Sequence, residues 1–137
     1  MWKLLNERLP TDDVLCIMGF YLPSKCGFCN NLESLHHTLL KCEFSKAIWR
    51  FFEGLFDVHY AGDSYLQHYL SSWSINSGST LLGVMHKLII PPTMCWNLWK
   101  SRNKLKYEDI ISTRQQVIAH VVADLKPCFP SFPREFS

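Results

Sequence analysis

The stretch Cys26-Gly27-Phe28-Cys29-Asn30-Asn31-Leu32-Glu33-Ser34-Leu35-His36-His37-Thr38-Leu39-Leu40-Lys41-Cys42 decides how this chain folds. Two cysteines separated by two residues close a tight turn whose backbone N–H groups point at the thiolates. A histidine and a third cysteine downstream complete four soft ligands. Counted to the second histidine, the pattern is C-x2-C-x7-H-x4-C. One loop crosses the metal, and the last two ligands come from one short turn of chain. Thiolate and imidazole together select zinc over hard cations, so the spacing predicts one Zn2+ ion. His36 and His37 are neighbours, and only one of them faces the ion.

Two other cysteine chemistries fit less well. A redox C-x-x-C wants a strand before it and a helix after it, and no alternating strand pattern precedes Cys26. A disulfide framework belongs to a secreted chain, whereas Met1 leads into Trp2-Lys3-Leu4-Leu5-Asn6-Glu7-Arg8, with no continuous apolar region and no small-residue cleavage site. The expectation is an intracellular protein, cytoplasmic or nuclear and not secreted, with reduced cysteines. At 137 residues and 47% hydrophobic, the chain suffices for a modest core and is too apolar to be disordered. The apolar run around Leu88 to Ile90 is cut by Pro91-Pro92, far short of the roughly 18 residues of a membrane span, which excludes a membrane partner. A formal charge of +2 is too small to mark a nucleic-acid surface by itself.

Outward from the ligands, the chain reads as short amphipathic helices. Phe44, Ala47, Ile48, Phe51, Phe52, Leu55 and Phe56 recur at helical spacing and predict a buried-face helix flanked by Trp49 and Arg50. Toward the N-terminus, Trp2, Leu5 and Leu9 share one helical side that Pro10 ends, and Thr11 caps a second helix that Gly19 stops. Asp12 and Asp13 behind that cap read as partners of the helix dipole rather than as metal-binding carboxylates. Tyr65, Leu66, Tyr69, Leu70 and Trp73 form another helical pattern, and residues 74–79 a flexible connection. From Thr80 the pattern is helical to Pro91-Pro92, which kink or restart it. The following half carries Met94, Cys95, Leu98 and Trp99 and ends near Asn103. Trp96, Trp99, Lys100, Arg102 and Lys104 could form a base-stacking platform, but core aromatics and a solvated cationic face are the simpler expectation. Ser112-Thr113 caps a last helix with Val117, Ile118, Val121, Val122 and Leu125 facing inward, and the proline-rich tail after Lys126 breaks all regularity. Cys95 and Cys128 read as ordinary thiols.

Leu9-Pro10-Thr11-Asp12, Val14-Leu15, Gly19-Phe20, the four ligands, Glu33-Ser34 and Ala47-Ile48-Trp49 together resemble the reverse-transcriptase zinc-binding domain of plant LINE-type (non-LTR) retrotransposon polyproteins. Trp99-Lys100-Ser101-Arg102-Asn103 with Tyr107-Glu108 resembles a tryptophan, arginine, asparagine segment further downstream in the same proteins. The resemblance spans roughly residues 2 to 108. It implies His37 as the ligand, four residues after Glu33, and hence the set Cys26, Cys29, His37 and Cys42. It also implies a domain truncated at its N-terminus, because family members carry a further tryptophan-rich helix upstream, and the neighbouring polymerase and ribonuclease H modules are missing here.

The expected fold is mainly α, a small irregular Cys3His zinc knuckle packed on short amphipathic helices with a C-terminal helical segment. Residues 1–57 form the zinc-binding domain with its knuckle at 26–42, 58–79 a helix and connection, 80–126 the C-terminal helices and 127–137 an irregular tail. The expected function is a structural, non-catalytic zinc domain that contacts RNA or DNA through Lys25, Phe28, Lys41, Lys46 and Arg50, with no small-molecule substrate. The alternative is a retroelement remnant whose exposed apolar helix face meets another protein. The acidic residues are scattered over different elements, and a Cys3His shell leaves no open coordination position, so no enzyme is expected.

Overall fold

Between its first two ligand cysteines the chain doubles back sharply. Lys25 and Leu32 form an isolated antiparallel bridge, and the Cys26 N–H donates to the Asn31 carbonyl at 2.8 Å. The computed structural model describes residues 17–19, 25–29, 31–56, 69–70, 73 and 89–128. Most of these are helical, and no named strand occurs among them. The expected helices before Ile17, the connection at 74–79, the pattern at 80–88 and the tail beyond Cys128 lie outside the described residues. Gly19 has the positive φ of 95° that a glycine stop requires.

The ligand-bearing turn is a π-helical turn, His37–Lys41, closed by the Cys42 N–H donating to the His37 carbonyl at 2.7 Å. Cys42 then adopts extended angles (φ −62°, ψ 140°), which interrupts the ladder, and helix α1, Glu43–Phe56, starts at the next residue. The interruption turns the carbonyls of Thr38 and Leu39 toward side chains of α1. Ser45 Oγ donates to the first, and Trp49 Nε1 donates to the second at 2.6 Å. Helix ends need such partners because their backbone groups run out of helical ones.

Helix α2, Ile90–Glu108, begins on Pro91-Pro92, where a missing N–H costs nothing and the fixed φ already suits a helix. The prolines therefore start this helix. It runs to Glu108, five residues beyond the expected end near Asn103. The segment Asn103-Lys-Leu-Lys-Tyr-Glu108 loses the apolar rhythm but contains no breaker, and the helix stops only where Asp109 turns left-handed at φ 53°. Helix α3, Arg114–Leu125, opens on the capping box that Thr113 suggested, its hydroxyl accepting the Gln116 N–H at 3.1 Å and its own N–H donating to Gln116 Oε1 at 2.9 Å. A short 3-10 turn, Lys126–Cys128, follows. Helix α1 packs on the π turn and on α3, and α2 packs on α3 and on the π turn.

The mainly α class is observed, and one apolar cluster joins every element. Leu35 and Leu39 meet Ile48, Trp49 and Phe52 of α1, Tyr69, Leu70 and Trp73, then Ile90, Met94 and Leu98 of α2 and Val117, Val121, Val122 and Leu125 of α3. The buried stripe of α1 differs from the expected one. Ser45, Ile48, Trp49 and Phe52 are fully enclosed, whereas Phe44, Phe51 and Leu55 are only half-buried. Trp49 is thus a centre of the core rather than a flank, with Tyr69 edge-on at 4.9 Å between ring centroids. Phe44 instead stacks flat on Phe28, 4.2 Å away, and ties the knuckle tip to α1.

Cys95 also lies in this core, and burial pushes its thiol up from 9.0 to about 12. The folded state resists ionising it, so its contribution to stability is complete below about pH 9 and is lost as pH rises toward 12. By about pH 10.5 the loss is on the order of 2 kcal/mol. Urea midpoints near pH 8 and pH 10.5 should fall further apart in the parent than in Cys95→Ala; an equal fall would show that this thiol does not govern the alkaline limb.

Candidate metal centre

Each ligand reaches the centre through a local device. The tight loop sets Cys26 and Cys29, with the Phe28 N–H directed at the Cys26 sulfur. Ser34 caps the turn that carries His37, its hydroxyl accepting the His37 N–H at 3.1 Å and its carbonyl accepting the Thr38 N–H at 2.9 Å. Cys42 sits at the break before α1, where the Phe44 N–H is directed at its sulfur.

These four side chains converge. Their donor atoms all lie within 4.8 Å of one another. Cys26 Sγ is 3.9 Å from Cys42 Sγ, Cys42 Sγ is 3.8 Å from Cys29 Sγ, and Cys29 Sγ is 3.0 Å from His37 Nε2. A tetrahedral zinc with sulfurs at about 2.3 Å places them roughly 3.8 Å apart, which the two sulfur pairs match. The sulfur–nitrogen pair would open by about half an ångström to the separation a shared ion sets. His37 supplies the donor among the two adjacent histidines, and it presents Nε2. Cys26, Cys29, Cys42 and Cys95 are free thiols, and Cys95 stands apart from the cluster.

The sulfurs are primed for a cation. The Cys26 thiol directed at it pulls Cys42 below the ordinary thiol range against the opposing cost of burial, while the same contact pushes Cys26 up. The thiolate is the form that binds metal, and the contact with Cys26 favours it at Cys42.

Residues 1–49 match the family described as zinc-binding in reverse transcriptase. The match contains all four ligands and ends inside α1, and this zinc-binding domain takes one structural zinc in its Cys3His set. Three thiolates and one imidazole fill a tetrahedral shell and leave no position for a reacting water. No curated protein and no solved structure matches the chain. None of the described helices is long and apolar enough to cross a membrane.

Around the zinc-binding domain the five candidate nucleic-acid contacts are placed unequally. Lys25, Lys41 and Arg50 are exposed, and Lys46 lies 3.6 Å from Glu43 in a solvent-facing pair. Phe28 is half-buried, with one ring face covered by Phe44. Of the cations expected on a solvated face of α2, Arg102 is instead buried. Its Nε donates to Glu33 Oε1 at 2.6 Å, and both side chains are about 4% exposed or less. Trp99 is buried too, and the Arg102 guanidinium lies over its ring at 4.9 Å. Trp96 is 58% exposed, with Lys100 5.6 Å from its ring centre. Glu33 stands out in the sequence only through family resemblance, and Arg102 through that and as one of the cations of a solvated face. Their pairing spans 69 positions, and no local pattern announces it.

Proposed function

We propose that this chain is a non-catalytic accessory domain of a plant LINE-type retrotransposon reverse-transcriptase protein, in which zinc shapes a knuckle that contacts single-stranded RNA or DNA. The closed Cys3His shell supports a structural rather than a catalytic ion. The observation that carries the nucleic-acid reading is the set of cations on and beside the knuckle, of which Lys25, Lys41 and Arg50 are exposed and Lys46 is half-exposed. Lys25 stands at its base, Lys41 immediately before the last ligand, and Lys46 and Arg50 one turn apart on α1. Phe28 adds a half-buried ring stacked on Phe44 on one face.

A second reading, contact with another protein, is favoured by apolar side chains left exposed at the end of α2 and after it. Tyr107 is 65% exposed and Ile111 75%. Titrating fluorescent single-stranded RNA and DNA at about 50 and 200 mM salt separates the two. Four phosphate contacts predict a fall in affinity of roughly 50-fold across that range, and Lys41→Ala with Arg50→Ala should halve the logarithmic slope. Affinity no better than about millimolar at the lower salt would leave the protein-contact reading in its place.

A further inference from the structure

The family match ends at residue 49, yet the zinc knuckle is seated on a helix that begins at Ile90. Glu33 belongs to the loop between Cys29 and His37, next to the serine that caps the His37 turn. Its carboxylate is buried and is held by Arg102 of α2 at 2.6 Å, with Lys106 Nζ 3.9 Å from its other oxygen. The arginine is itself fixed on three sides, by the Trp99 ring, by Asn103 Oδ1 at 2.9 Å from Nη1, and by Tyr107 at 5.9 Å. The other limb of the knuckle meets the same helix. A carbon added at Gly27 would lie 2.6 Å from Leu105 Cδ2, so the loop runs directly against this side chain and a larger residue would have to displace it.

We infer that Glu33 and Arg102 are positioning residues for the zinc site, and that α2 is part of the zinc-binding unit, so zinc occupancy and the order of α2 stabilise each other. The physical reason is that a loop of seven residues between two ligands has many conformations, and few bring Cys29 and His37 to one ion. Anchoring its middle to α2 removes many of them, so less of the ordering is left to the ion. A buried carboxylate needs its partner, so the loop cannot leave α2 without stranding a charge. The segment around Arg102 thereby acquires a role: Trp99 and Asn103 aim the guanidinium, and the guanidinium holds the loop.

The test uses the full chain and reads metal binding directly. Arg102→Met should weaken zinc binding about 10- to 100-fold in competition with a chromophoric chelator, the range found when groups that orient metal ligands are removed. The Co2+-loaded variant should show weakened thiolate charge-transfer bands, a signature that a general loss of stability would not move. Arg102→Lys should recover only part of the affinity, because an ammonium cannot reproduce the guanidinium's fixed geometry. Hydrogen exchange on the unaltered protein needs no variant to fold. Removing zinc should lower protection of amides in 98–106 as well as in the knuckle. Zinc affinity of Arg102→Met within twofold of the parent, or unchanged protection of 98–106 on metal removal, would overturn the inference.

Discussion

Removing zinc with a strong chelator should unfold residues 26–42 before any helix, and Cys29→Ser should purify without metal. Besides the ion, the knuckle's loop is held by one isolated bridge, the Cys26 to Asn31 hydrogen bond, the Phe28–Phe44 stack and the Glu33–Arg102 pair, none of which binds the three sulfurs and the imidazole to one another. Zinc bound by small peptides contributes about 10–16 kcal/mol, as much as the entire stability of many domains. Without the ion, the cluster keeps the contacts of Cys26 with Cys42, Cys42 with Cys29 and Cys29 with His37, and a crowd of sulfurs that burial makes costly to ionise together. Acid should act in the same direction as the chelator, because thiolates and imidazole must be deprotonated to bind, so metal is released as pH falls. The helices lose less, because Ile48, Phe52, Leu98 and Val121 remain in one apolar cluster that does not include the ligands. Elemental analysis should find one zinc per chain in the parent and in Cys95→Ala, and none in Cys29→Ser. Hydrogen exchange should show protection lost first at the knuckle. A chelated protein with unchanged exchange and circular dichroism would show that the four side chains hold their places without an ion.

What the sequence revealed and what it hid divide by distance along the chain. The ligands were legible because metal chemistry dictates short, repeated spacings, and the π turn realises one of them, bringing Cys42 back to His37 with a single hydrogen bond. The cap of α3 was legible for the same reason, since Thr113 and Gln116 are three residues apart. The end of α2 was not, because the apolar rhythm that marks a helix fades after Asn103 while the backbone continues until Asp109 stops it. Arg102 was read as solvated because a polar residue in an amphipathic pattern defaults to the surface. Nothing local to it records that Glu33, 69 positions earlier, is buried against it. Trp49 was misread for a different reason. With apolar residues at Phe44, Ala47, Ile48, Phe51, Phe52, Leu55 and Phe56, more than one face of α1 is greasy, and periodicity alone does not choose between them. The choice falls to hydrogen bonding.

That choice makes Trp49 the side chain whose loss should cost the helical core most. Trp49→Ala should destabilise the zinc-loaded protein by about 3–5 kcal/mol, a large share of a small domain's total, because the indole is 2% exposed and its neighbours Ile48, Phe52, Tyr69 and Trp73 close only partly over the space left. Trp49→Phe separates packing from hydrogen bonding. It keeps most of the apolar volume but removes the donor from Trp49 Nε1 to the Leu39 carbonyl, 2.6 Å away. A buried carbonyl left without its donor costs about 1–3 kcal/mol. Because Leu39 lies inside the π turn between His37 and Cys42, that cost falls on the segment that presents two of the four ligands. Urea midpoints and zinc affinities should therefore move together in Trp49→Phe, whereas Phe52→Ala, equally buried but without a bond to the turn, should lower the midpoint and leave zinc affinity nearly unchanged. If Trp49→Phe matches the parent in both measurements, the indole serves the core by its bulk alone, and the carbonyls freed at the Cys42 break are held by Ser45 and the backbone without it.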